Sequence, residues 1–163
     1  MNISCVKYRQ KINTADLQAI ARIVESSGFF SAAEIDLALE LANDKITHGQ
    51  NSSYQFLFGE ADGFVWGYTC FGLIPATAAS YDLYWIAVDN NFRTQGLGKQ
   101  LLGETENIIR KWSGQHIYAE TSSREQYRAT RLFYESCGYM GEAFLKDFYA
   151  ESDSKVIYSK ILI

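Results

Sequence analysis

Apolar positions along this chain recur with two periods, and the order in which the periods alternate sets out the elements. Ile3 to Tyr8 alternates weakly and reads as a first strand. Thr14 stands as an N-cap before Ala15, Asp16 and Leu17. Leu17, Ile20, Ala21 and Val24 then follow at helical steps and end near Ser26-Ser27-Gly28. After Phe29-Phe30, Ser31 and Glu34 have the spacing of a capping box. Ile35, Ala38, Leu39, Ala42 and Ile46 mark one face of the helix it opens, and His48 to Ser53 is a polar break.

Tyr54 to Glu60 predicts a strand, Ala61-Asp62-Gly63 its turn, and Phe64 to Phe71 the returning strand. Gly72 to Ser80 is a loop with the only proline, Pro75. Tyr81 to Val88 is a strand rich in aromatic and β-branched residues, stopped by Asp89-Asn90-Asn91. Leu97, Leu101, Leu102, Thr105, Ile108, Ile109 and Trp112 repeat as a helix face, ended by Ser113-Gly114. His116 to Thr121 is a further strand. Ser122 or Ser123 can cap the next helix, with Glu125 or Gln126 in support. That helix carries Tyr127, Thr130, Phe133, Tyr134 and Cys137 and stops at Gly138. Met140 to Tyr149 and Lys155 to Ile161 close the chain as paired strands. The expected class is α+β (mixed α/β), a single domain over residues 1–163 with no repeat or linker.

Composition narrows the functions. A net charge of −4 gives no bulk attraction to nucleic acid or to an anionic membrane. No apolar run is long enough to span a bilayer, and the N-terminus lacks a signal peptide's apolar core. Cys5, Cys70 and Cys137 are odd in number and widely spaced, which suits thiols in a reducing cytoplasm. His48 and His116 show no ligand spacing, so no metal is expected.

The strand–turn–helix at Tyr81–Trp112 carries the chemistry. Backbone N–H groups of a helix's first turn lack partners inside the helix and attract an anion. Glycine lets a phosphate approach the backbone, and Arg93 and Lys99 add charge on either side. The P-loop spacing is absent, and the dinucleotide pattern fails because Leu101 stands where its third glycine would be. What remains is Arg93-Thr94-Gln95-Gly96-Leu97-Gly98, followed by Lys99. This resembles the acyl-CoA pyrophosphate loop of the GNAT superfamily of N-acyltransferases. Tyr134 with Gly138 and Tyr139 resembles a second signature of that family. Tyr127 and Thr130 stand where the family usually has asparagine and alanine.

The resemblance implies a central twisted mixed sheet, splayed at the cofactor site and flanked by about four helices. It implies acetyl-CoA as co-substrate, its pantetheine amides paired with Ile86, Ala87 and Val88. Its pyrophosphate would lie on Val88 through Lys99, with Tyr127 and Thr130 on the CoA arm. A backbone N–H of Ile86 or Ala87 would face the oxyanion of a tetrahedral intermediate. Tyr134 is the candidate general acid for the thiolate, since a phenol keeps its proton at neutral pH. Alone, a helical tyrosine reads first as a core aromatic; the Gly138-Tyr139 spacing and the preceding glycine loop favour the functional role.

Asp82 is the candidate base and Glu120 an alternative, with water a third. By alternation Asp82, Tyr84, Ile86 and Val88 share a face. Phe29, Phe30, Glu34 and Tyr84 are candidates for the acceptor site, where aromatic faces beside a carboxylate suit an ammonium. Phe29 and Phe30 also fit a simple core role. Arg124, Arg128 and Arg131 can reach the CoA 3′-phosphate or form a solvated helix face. The expected activity is N-acetyl transfer to a primary amine of a small molecule. The alternatives are a lysine or N-terminal protein acetyltransferase and a non-catalytic acyl-CoA-binding module. The acceptor and the oligomeric state, a homodimer included, stay open.

Overall fold

The computed structural model describes residues 5–28 and 30–163. Its strands are β1 (Val6–Arg9), β2 (Gln55–Ala61), β3 (Phe64–Leu73), β4 (Ser80–Val88), β5 (His116–Ser122), β6 (Met140–Ala150) and β7 (Asp153–Ile161). Its α-helices are α1 (Asp16–Ser26), α2 (Ala32–His48), α3 (Leu97–Lys111) and α4 (Arg128–Ser136). The hydrogen-bonded strand order is β1-β2-β3-β4-β5-β7-β6. β4 and β5 pair in parallel, whereas β1–β2, β2–β3, β5–β7 and β6–β7 are antiparallel. A mixed sheet with four α-helices is the expected architecture.

The chain divides into two compact units, Met1–Gly72 with Trp85–Thr105 and Leu73–Tyr84 with Glu106–Ile163. In the first, Ile20, Ile23 and Val24 of α1 and Ala38, Leu41 and Ala42 of α2 pack on Phe56, Phe58, Tyr68 and Cys70. Phe56, Phe58 and Tyr68 form a near-parallel stack at 5.9–6.3 Å. Gly67 is required by close approach: a Cβ there would lie 3.0 Å from the Ala87 carbonyl. The polar Thr105 of α3 fits this interior because it shares a 2.8 Å hydrogen bond with Thr69 and donates to the Leu101 carbonyl.

In the second unit, β4 pairs with β5 from Ser80↔His116 to Leu83↔Ala119. β5 continues along β7 from His116↔Ile161 to Ser122↔Lys155. Ile109, Ile117, Ala119, Tyr134, Tyr139 and Tyr158 are buried. Gly114 closes α3 tightly; a Cβ there would come within 2.7 Å of the Tyr81 ring.

Three expectations are corrected. Thr14 does not cap α1: Ala15 occupies that position, without a side-chain cap. Asp16, buried, instead accepts from the Asn13 N–H and from Arg9, which drew the start of the helix inward. Trp112 falls just beyond α3 and is 44% exposed, so it is not part of the buried face. Ser122 and Ser123 do not cap α4. Ser122 donates to Asp153, and Ser123 accepts from the Ser154 N–H, tying β5 to the start of β7. A 3-10 turn, Glu125–Tyr127, leads into α4 instead.

Candidate active site

The glycine turn lies in the first unit. Asp89, buried at the end of β4, is ion-paired with Arg22 and accepts from the Asn91 N–H at 3.0 Å. The Asp89 N–H donates to the Trp66 carbonyl at 2.8 Å, which holds the strand end against β3. Arg93 Nε donates to the Val88 carbonyl at 3.3 Å. Thr94 (φ 65°) and Gly96 (φ 76°) both adopt left-handed backbone. Gly96 accepts the first helical bond, from the Gln100 N–H at 3.2 Å. A Cβ on Gly96 would meet nothing within 4 Å, and Thr94, Gln95 and Gly96 are exposed. Lys99 is exposed, and no acidic side chain stands in the first turn of α3. An exposed loop at the head of a helix with no acid in its first turn suits an anion. Leu97, by contrast, points inward and is buried, so its contribution here is its backbone. Gly98, next in the turn, is half-buried.

On β4, Ala87 is buried whereas Ile86 and Val88 are half-buried. Tyr81, Leu83 and Ala87 face inward, and Asp82, Tyr84, Ile86 and Val88 face the other way, as the alternation requires. Phe30 packs its ring on Trp85 at 5.1 Å and joins the α1–α2 core. Glu34 is engaged in the capping box, accepting from the Ser31 N–H at 2.8 Å and the Ser31 hydroxyl at 2.9 Å. Phe29 lies outside the described residues.

The candidate proton-transfer groups, Asp82, Glu120 and Tyr134, lie in the second unit. Asp82 pairs in register with Tyr118, and Glu120 follows two residues later on the same face of β5. Burial raises the Asp82 carboxyl above the ordinary range, the Glu120 charge adds to that, and Lys155 opposes it. Lys155 of β7 was not singled out by sequence reasoning. Its Nζ lies 2.5 Å from Glu120 Oε2 and 3.8 Å from the Phe148 ring centroid. The signal available was the alternation of β7, which sets Lys155, Ile157 and Ser159 on one face. Nothing in it says which strand lies alongside.

Tyr134 is buried on α4, its ring 5.4 Å from Tyr139 and 5.7 Å from Tyr158. Burial pushes its phenol up, with the Cys137 thiol adding to the effect, so it keeps its proton at neutral pH. Tyr127 is buried and Thr130 half-buried. Arg124 is paired with Asp153 and Arg128 with Glu125. Arg131 donates to the carbonyls of Ser122 and Arg124, so it braces the turn before α4.

A sequence profile described as the acetyltransferase (GNAT) domain matches residues 52–140. A crystal structure from Desulfovibrio desulfuricans, assigned to GNAT-family acetyltransferases, is 41% identical. It covers 98% of this chain and 100% of its own, with a TM-score of 0.95. The ribosomal-protein-S18-alanine N-acetyltransferase of Escherichia coli superposes with a TM-score of 0.76 at 19% identity, covering 97% and 94%. The Salmonella typhimurium protein yncA, solved with its cofactor acetyl-CoA, gives 0.74 at 20% identity, covering 98% and 95%. A comparison with curated protein sequences gives no match.

Proposed function

This chain belongs to the GNAT family of acetyltransferases, and from that premise we propose that it transfers acetyl from acetyl-CoA to a primary amine of a small molecule. The observation that carries the proposal is the exposed turn Arg93–Lys99 at the head of α3. Left-handed Gly96 leaves open space where a side chain would stand. With no acid in the first helical turn, these residues fit a diphosphate.

Acetyl-CoA supplies an activated thioester carbonyl. The backbone of Ile86 and Ala87 aligns the pantetheine arm, with Val88 beside them, though the Val88 carbonyl already accepts from Arg93. Arg93, Thr94, Gln95, Gly96, Leu97, Gly98 and Lys99 hold the diphosphate. Tyr127 and Thr130 contact the arm. Tyr134, kept protonated by burial, returns a proton to the departing sulfur. Asp82 or Glu120 takes the proton of the acceptor ammonium. Tyr84, 36% exposed on the same face as Asp82, lines the acceptor side. Cys5, Cys70 and Cys137, none of them in a disulfide, fit a cytoplasmic protein. A protein lysine or N-terminal acceptor is the second reading, favoured by the likeness to the Escherichia coli ribosomal-protein enzyme.

Two measurements test this. Acetyl-CoA at about 100 times its Kd should raise Tm by roughly 5–10 °C. Thiol release should be seen with some member of a panel of amino acids, polyamines and amino sugars. No thermal shift with millimolar acetyl-CoA or CoA would remove the cofactor assignment. Turnover with peptides alone would transfer the acceptor to the protein class.

A further inference from the structure

Glu120 and Asp82 stand on one face of β4–β5, yet only Glu120 has a cation seated on it. The seat is built by an irregularity of β6. Pairing with β7 runs from Leu145↔Lys155 directly to Ala150↔Asp153. Five steps on β6 thus answer two on β7, leaving three extra residues in the edge strand. Asp147 takes left-handed backbone there (φ 52°). Its N–H donates to Ser154 Oγ at 3.0 Å, and its carboxylate accepts the Ser152 N–H at 2.9 Å. The bulge turns two aromatic rings onto Lys155, with Nζ 3.8 Å from the Phe148 centroid and 5.6 Å from that of Tyr149. Those rings meet edge to face at 84°. The Lys155 side chain is 13% exposed, although its partner Glu120 is 48% exposed. A surface ion pair normally exchanges with water and contributes little. This ammonium is caged on one side by rings and on the other by a carboxylate. Bulges of this kind re-aim side chains beside functional sites.

We propose that Lys155 is a positioning residue that keeps Glu120 as a bound counter-ion and leaves Asp82 to take the acceptor's proton. The inference rests on the acetyltransferase assignment above and deepens it. Glu120 Oε2, held at 2.5 Å by the Lys155 ammonium, is already engaged in an ion pair. Among the described residues no cation is ion-paired with Asp82. Burial first, and then the neighbouring Glu120 charge, favour its protonated form, as a proton acceptor requires. The titratable groups facing Asp82 are Tyr84 on its own strand, Tyr118 and Glu120 on β5, and Lys155 on β7. Glu142 of β6, on the far side of β7, accepts from Ser159.

The test is a carbon-13 NMR titration of the Asp82 side-chain carboxyl in the full chain, which needs no turnover. Lys155→Met should raise its midpoint by about half a pH unit or more, since a nearby cation is lost. Lys155→Arg should keep it near wild type, and Glu120→Gln should lower it. The acid limb of kcat/KM should move in the same directions, and Asp82→Asn should abolish it. An Asp82 midpoint unmoved in both Lys155→Met and Glu120→Gln overturns the proposal. So does an acid limb that survives Asp82→Asn and disappears in Glu120→Gln. Absence of turnover in every variant and in wild type strikes the acetyltransferase assignment instead, leaving the titration to decide the coupling. If Lys155→Met fails to fold, Glu120→Gln and Lys155→Arg still decide the sign.

Discussion

Tyr134, the proposed general acid, is first of all a packed side chain. Its ring lies among Tyr139, Tyr158 and Phe133, so by burial alone it is an ordinary core aromatic. The same burial makes the phenol a reliable proton holder, because charge on its oxygen is disfavoured. Tyr134→Phe keeps the ring and removes the proton. We expect kcat to fall by about 100-fold or more while the Kd for acetyl-CoA changes less than about threefold. Stopped-flow turnover and calorimetric titration check this; an unchanged kcat would leave Tyr134 a packing residue. The position of Tyr134 was legible in its spacing to Gly138 and Tyr139. Its ring partner Tyr158 was not, because that contact joins α4 to β7, which lies further along the chain.

The elements that were legible are those whose signals are local. The Ser31–Glu34 capping box forms as spaced, with both side chains answering backbone N–H groups. The β2–β3 hairpin turns on Asp62-Gly63, both left-handed, with Ala61 opposite Phe64. Ser31→Ala should destabilise by about 1 kcal/mol, since the Glu34 N–H at the head of α2 loses its partner. Urea unfolding checks this; a midpoint equal to wild type would show the cap to be idle. The expected caps of α4 failed because a serine accepts from whatever N–H is nearest: Ser122 accepts from the Arg124 N–H, and Ser123 from Ser154 of β7 rather than from the first turn of α4.

Across the whole chain, buried phenols and a buried thiol make stability sensitive to alkali. Burial raises Tyr68 and Cys70 in the first unit and Tyr134 and Tyr139 in the second. Tyr158 is pushed up to about 12 by burial and by Glu135, to which it donates at 2.9 Å. Each folded pKa lies above its unfolded value. The stability these groups contribute is therefore complete below the unfolded pKa and lost as pH rises toward the folded one. Unfolded thiols titrate near ~8.5 and phenols near ~10. Tm should thus hold to about pH 8 and fall steeply above about pH 10, as measured by circular dichroism. A Tm unchanged to pH 11 would mean that these groups reach water in the folded state.

The amino-acid order alone determined the alternation of strands and helices, the capped start of α2 and the glycine turn before α3. Each depends on residues within one or two turns of chain, where backbone preference and periodicity act directly. Tertiary structure decided which carboxylate carries a counter-ion, which serines are diverted from capping, and why Thr105 is tolerated in an interior. Those outcomes join residues more than thirty positions apart: Lys155 to Glu120, Ser154 to Ser123, Thr69 to Thr105. Their distances follow from strand register and from a bulge in β6, and periodicity within one segment carries no information about the register of another.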